Sequence, residues 1–307
     1  MSITIAAIAY ALLAATTILD KFILNKSVPR PAVFVFYSCV FVLPILLLSP
    51  FGVHLLRGFG DWLVAVVSGL AFAFGLWAMY IGFKDSEVSH SGPLVGAATA
   101  FFVLILSQTF LSEALSTRNL GAIIILIAGS LVISIEKSNN HDGWHGGMAW
   151  GVLAGLLFAV SHVAAKYLYE GYGFYSGLVW TRGALGLFAL PLLFLPSVRA
   201  DLFKKKFDLP PHNLPLIKGE RNHRVVLIFT NKTLGVIGGL LIQYAIAIGS
   251  VTLVNALAGL QFALLIIAVA LLSKFAPRWF KEEYGKKEAI MEALAVILIA
   301  AGLAIII

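Results

Sequence analysis

The sequence predicts an all-α membrane protein, with about ten transmembrane helices in two inverted five-helix repeats. Three observations carry this. Of 307 residues, 60% are hydrophobic and 12% charged, and the mean hydropathy is +0.95. A typical soluble domain is roughly a quarter charged, and a soluble fold of this composition would expose large apolar patches. Lipid accepts such a surface without cost. Second, the apolar residues come in continuous runs, not in the alternation that barrel strands need. Third, the chain repeats itself.

A bilayer core of about 30 Å takes roughly 20 helical residues to cross. Runs of that kind fall at 3–24, 32–50, 61–83, 88–111, 118–135, 147–168, 175–196, 230–249, 252–273 and 289–307. Turn residues mark the joints. Pro29 and Pro31 separate the first two runs, and Pro50 and Gly52 close the second. Ser116 and Thr117 are placed to cap the fifth, because a hydroxyl there accepts from a free backbone N–H. Asn139, Asn140, Asp142 and Gly143 form the clearest mid-chain break. The long connection, about 197–229, carries Pro210, Pro211 and Pro215 and reads as a basic loop. Within it, Val225 to Phe229 either starts the eighth helix early or lies flat at the interface. The first run lacks the basic leader of a signal peptide, so it is read as a spanning helix.

The repeat is seen in matched residues. DKFIL at 20–24 resembles AKYLY at 165–169, so Lys21 matches Lys166. LPILLLSP at 43–50 matches LPLLFLP at 190–196, so Pro44 matches Pro191. VGA at 95–97 corresponds to AGL at 258–260. The units are 1–138 and 146–307. Five helices is an odd number, so the second unit enters the membrane from the opposite side. Inverted repeats of this kind place a site near the midplane between the halves and move by alternating access.

FFVLILSQTFLSEALSTRNLGAIIILIAGSLVI at 101–133 runs as an apolar helix, a Glu at its end, a polar turn and a Gly-punctuated helix. With Glu113, Gly121 and Gly129 in those places, it resembles the end of an EamA-like repeat of the drug/metabolite transporter superfamily. WTR at 180–182 is similar to the Arg-bearing second helix of such a repeat. The resemblance covers essentially the whole chain and implies a ten-helix carrier for small metabolites, often amino acids or related compounds. The chain departs from the pattern at 272–283, LSKFAPRWFKEE, and at Val35, which stands where Arg182 stands in the second half.

The net charge of +7 does not point to nucleic acid, because the basic residues flank apolar runs and no nucleic-acid-binding signature is present. Of 22 Lys and Arg, the loops after odd-numbered helices hold all but Arg57, Arg118, Lys166 and Arg182. That bias puts those loops in the cytoplasm and both termini outside the cytoplasmic membrane. Cys39 is the sole cysteine, so no intrachain disulfide forms. No metal-ligand spacing, nucleotide loop or nucleophile motif is present. No cofactor, metal or enzymatic activity is expected. The expected partners are a small-molecule substrate and the bilayer, with the chain a monomer or homodimer.

Ionisable groups inside a span cost about 2.5–3.5 kcal/mol on insertion scales, which makes each a site candidate. Arg182, on the seventh helix, and His162, with Lys166 one turn on, could hold an anion such as a carboxylate. Lys166 could equally pair with Glu170 four residues on. Asp20, Lys21, Lys166 and His90 are candidates for coupling or gating. Polar Thr17, Gln243 and Asn255 either line a cavity or bond helices together. Trp77, Tyr80 and Tyr244 are candidate aromatic walls. Glu113 reads as structural, its carboxylate facing the fifth helix's N-terminus. Gly92 and Gly96, and Gly151 and Gly155, permit close helix approach. A carrier is the leading reading; a membrane-embedded lipid-handling protein or an accessory subunit are the others.

Overall fold

The computed structural model describes residues 1–24, 31–85, 88–134, 146–202, 220–275 and 286–306. The expected breaks at Pro29, at 139–143 and at Pro210–Pro215 lie outside these residues, as do the side chains of Asp20, Lys21 and His90.

The described residues contain helices and no strands. In chain order these are α1 (Ser2–Leu24), α2 (Pro31–Val42), α3 (Phe59–Asp85), α4 (Val88–Phe110), α5 (Thr117–Ser134) and α6 (Gly146–Leu187). They continue with α7 (Ala189–Leu192), α8 (Pro196–Leu202), α9 (Glu220–Ile248), α10 (Val251–Ala256), α11 (Ala258–Phe275) and α12 (Lys286–Ile306). A 3-10 segment, Leu43–Leu48, extends α2. Pro44 lacks the N–H that α-helical continuation would use there.

Among the described residues, seven stretches are long and apolar enough to cross a membrane: Ser2–Leu19, Pro31–Leu48, Phe59–Phe83, Ser91–Phe110, Thr117–Ser134, Gly147–Leu192 and Val251–Ala268. Thr233–Ile248 and Ile290–Ile306 are shorter apolar helices. Large side chains such as Phe41, Leu47, Phe101, Phe110, Ile124, Phe194, Ile290 and Ile297 point outward, as a lipid-facing surface requires.

Several boundaries differ from those expected. The sixth and seventh runs form one 42-residue helical element, bent where Gly173 takes φ 77 and ψ 162. That left-handed backbone is open to glycine without a Cβ penalty. The ninth run is two helices, α10 and α11, with a joint at Leu257. The expected loop is helical at both ends, in α8 and in the start of α9 at Glu220. The early start of the eighth helix is therefore the observed alternative. Ser116 does cap α5, its Oγ accepting from Asn119 N–H at 3.2 Å.

Packing follows the small residues. α3 runs along α6, α1 along α9, α5 along α12, and α4 lies against both α5 and α6. A Cβ on Gly155 would sit 2.5 Å from Ala98 Cβ, and one on Gly151 3.3 Å from Leu94, so this glycine pair lets α6 approach α4. A Cβ on Gly92 or Gly96 would meet the Phe262 ring at 2.9 or 3.1 Å. These glycines seat an aromatic ring of α11. The largest core cluster draws on α1, α4, α5, α6 and α9 to α12, and includes Tyr10, Val103, Leu126, Tyr169, Ile246 and Ile299.

Candidate functional site

Arg182 stands on the limb of α6 beyond Gly173. It lies roughly 14 Å along that limb at 1.5 Å per residue, about half of a ~30 Å bilayer core. Its side chain is 7% exposed. Its guanidinium carbon sits 4.4 Å from the centroid of the Phe72 ring on α3. That contact favours a cation electrostatically, but it accepts no hydrogen bond in the guanidinium plane. Nη2 is buried with no hydrogen-bond partner. Among the described residues no carboxylate forms an ion pair with Arg182; the ion pair found is Lys166 with Glu170. A desolvated, unpaired cation costs several kcal/mol, so this is a place where the chain gives up stability.

Two hydrogen-bonded pairs flank it. His162 Nδ1 and Asn255 Oδ1 are 2.7 Å apart. Asn255 Nδ2 donates to Val251 O at 2.8 Å, which turns the amide oxygen toward the imidazole. Nδ1 is therefore the donor and carries the hydrogen. Tyr169 Oη donates to Gln243 Oε1 at 2.8 Å. His162 and Tyr169 both lie close enough to Arg182 to feel its charge, and the Phe72 and His162 rings are 6.2 Å apart. Five helical segments thus meet here: α3, both limbs of α6, α9 and α10.

The arrangement combines one free charged donor, an aromatic wall and two polar pairs from distant parts of the chain. It suits an anionic acceptor group on a small molecule.

Of the residues expected at a site, Arg182, His162, Gln243 and Asn255 come together here. Tyr244 lies in the adjoining layer, its ring 5.2 Å from Phe174, which is itself 5.6 Å from Tyr169. Trp77 and Tyr80 pack, as Phe72 does, against the cluster of Val33, Val35, Phe36, Cys39 and Leu185. Thr17 bonds helices: its Oγ1 donates to Leu13 O at 2.9 Å and accepts from Gln261 Nε2 at 3.1 Å, joining α1 to α11. Lys166 donates to Ala247 O at 3.2 Å and Gly249 O at 2.8 Å, and pairs with Glu170 at 3.3 Å. The (i, i+4) pairing considered for it is therefore present. The Glu113 carboxylate accepts from Thr252 Oγ1 on α10 at 2.5 Å.

Phe72 and Tyr169 were not singled out in the sequence. Tyr169 had a signal, since it follows His162 by seven residues and so shares its helix face. Phe72 had none in a chain with 22 phenylalanines.

No family model matches the chain, and no curated protein matches it in sequence. Among solved structures, 29 chains match. One, titled only as the crystal structure of a protein, superposes with a TM-score of 0.62 over 99% of this chain and 94% of that one, at 17% identity. At that identity the likeness is one of fold, and it extends over nearly the full length of both chains.

Proposed function

We propose that the chain is a secondary carrier that moves a small metabolite bearing a carboxylate or similar anionic group across the cytoplasmic membrane by alternating access. The observation that carries this is Arg182: buried, unpaired by any described carboxylate, with Nη2 unsatisfied. An uncompensated charge at that depth is expensive, and intramembrane ionisable groups of this kind mark substrate or ion paths. Arg182 is the anion contact; His162, Asn255, Tyr169, Gln243 and Phe72 surround the rest of the solute.

Ten crossings arranged as two inverted repeats belong to the same reading. The stretch Gly147–Leu192 has 46 residues, roughly 69 Å of helix against a ~30 Å core. It is best taken as two crossings joined at Gly173. With the two shorter apolar helices, Thr233–Ile248 and Ile290–Ile306, the seven become ten. The repeat gains support from contacts that obey the residue matching. The spacing that pairs Val95 with Ala258 also pairs Gly75 with Gly238. The spacing that pairs Lys21 with Lys166 also pairs Leu13 with Phe158. A Cβ on Gly75 would meet the Phe158 ring at 2.8 Å, and one on Gly238 would meet Leu13 at 3.0 Å. Corresponding glycines thus meet corresponding partners. The resemblance to EamA-like drug/metabolite transporters fits this architecture. The charge bias favours termini outside, and a C-terminal reporter active only in the cytoplasm would refute that orientation.

The test is a metabolite uptake and efflux screen in vesicles holding the wild type and Arg182→Ala. Transport of the solute found is expected to fall by roughly 30-fold or more, the effect of removing one member of a desolvated charge pair. Unchanged transport would sink the anion-site assignment.

A further inference from the structure

At one end of the bundle, Leu111, Glu113, Lys166, Glu170, Gly249 and Ser250 line a pocket of about 240 Å³. It sits over the joint between α9 and α10. Lys166 reaches across from α6 to the carbonyls of Ala247 and Gly249. Those acceptors are left without intrahelical partners where α9 stops, and a cation is favoured there. On the other side of the joint, Ser250 Oγ accepts from Leu253 N–H at 2.9 Å and so caps α10. Thr252 Oγ1 donates to Glu113, and Ser107 Oγ lies 2.7 Å from the same hydroxyl. With the carboxylate accepting, the chain of donors runs Ser107 to Thr252 to Glu113. Glu113 is delivered there by Ser112, which takes a left-handed φ of 50, while Glu113 N–H returns to Ser107 O at 3.3 Å.

α10 is six residues long, with a break on each side: Gly249 and Ser250 before it, Leu257 after it. Its inner end is held by the bond from His162 to Asn255. His162, Lys166 and Glu170 lie four residues apart along a single stripe of α6. One helix face therefore holds α10 at the inner end and its entry joint at the outer end.

We infer that α10 is a movable rod whose outer latch, formed by Lys166, Glu113 and Thr252, opens together with its inner latch, the His162–Asn255 bond beside Arg182. A rod of this length between two breaks can swing by changing a few backbone angles at its ends. Movement of α10 away from both α6 and the turn between α4 and α5 breaks the His162–Asn255 and Thr252–Glu113 bonds in one motion, so the pocket at the end of the bundle and the buried Arg182 group report the same state. The coupling concerns the unliganded chain, and its failure would leave the carrier assignment as it stands.

The experiment places a probe thiol at Leu111→Cys, which lines the pocket, in a Cys39→Ala background in lipid nanodiscs. The rate of labelling by a bulky maleimide is measured without any substrate. His162→Ala, outside the pocket lining and one helical turn from Lys166, is expected to raise that rate by roughly fivefold, the population shift that one lost hydrogen bond produces. Thr252→Val should raise it similarly through the outer latch. His162→Gln, which keeps a donor for Asn255, should restore the slow rate. A labelling rate that responds to Thr252→Val but not to His162→Ala would overturn the coupling. So would a rate that responds to neither. A second thiol at Leu55, exposed on the same chain, should label equally in all variants that have kept their fold. If His162→Ala fails that control, His162→Phe takes its place under the same expectation, since it too removes the donor.

Discussion

The contact of α3 with α6 and the contact of α9 with α1 are built alike, but their described polar groups are used differently. Each brings a glycine face against large side chains, Gly75 on Phe158 in one and Gly238 on Leu13 in the other. In the first, polar groups reach across. Ser68 Oγ donates to Ser161 O at 2.9 Å, and Phe72 lies under the Arg182 guanidinium. In the second, Thr16 and Thr17 donate back to Leu13 O of their own helix, at 2.8 and 2.9 Å. Under the proposed repeat, the counterparts of Phe72, His162 and Arg182 are Gly235, Thr17 and Val35. Val35 is fully buried in an apolar cluster. A Cβ on Gly235 would meet only Thr16, at 4.0 Å. One contact therefore carries a charge that its described surroundings do not satisfy, while in the other the described threonine hydroxyls bond within their own helix.

Replacing the charge should break that contrast most strongly. Arg182→Met keeps much of the volume and removes the unpaired cation, so thermal unfolding in detergent should show a gain of roughly 1–4 kcal/mol. The same variant should lose transport. A destabilised Arg182→Met protein would mean that the guanidinium is structurally required. The glycine faces come next. A Cβ on Gly69 would lie 2.5 Å from Leu185 N on α6, whereas one on Gly239 of α9 meets nothing within 4 Å. Gly69→Ala is expected to cost about 1–3 kcal/mol by overpacking. Gly239→Ala should be neutral or stabilising by up to about 1 kcal/mol through helix propensity. Equal losses in the two variants would erase the difference between the contacts. Tyr169→Phe removes the donor to Gln243 and should cost about 1–2 kcal/mol, near the upper end for bonds between membrane helices. Thr17→Val loses the bond to Leu13 O within α1 and the link to Gln261, the latter an expected ~0.6 kcal/mol, with transport retained. A large transport defect there would bring α1 into the site.

The spans were legible because the cost of placing each residue in lipid accumulates along a window of sequence. The breaks within them were less so. VTLVNALAGLQFALL reads as one apolar run, and no residue type in it marks the joint at Leu257 that divides α10 from α11. Gly173 was equally silent as a letter; only its φ of 77 joins two limbs into one bent element. Arg182 stood out as a charge inside a span, and His162, Gln243 and Asn255 as polar groups. Their meeting did not, since His162 and Asn255 are 93 residues apart. Glu113 is a further case: its proximity in sequence to α5 suggested that helix as partner, and the fold adds Thr252, 139 residues away.

By itself, then, the amino-acid sequence determined that this protein is helical and suited to lipid, and which charges are costly inside it. These follow from transfer free energies and backbone hydrogen bonding, which are local and additive. Only the tertiary structure decided which costly groups are satisfied. Lys166 finds two carbonyls and Glu170, and Thr17 finds Leu13 and Gln261, but Arg182 finds an aromatic face and no acceptor for Nη2. Satisfaction is a property of pairs brought within about 3 Å by packing, and no single stretch of the chain encodes it.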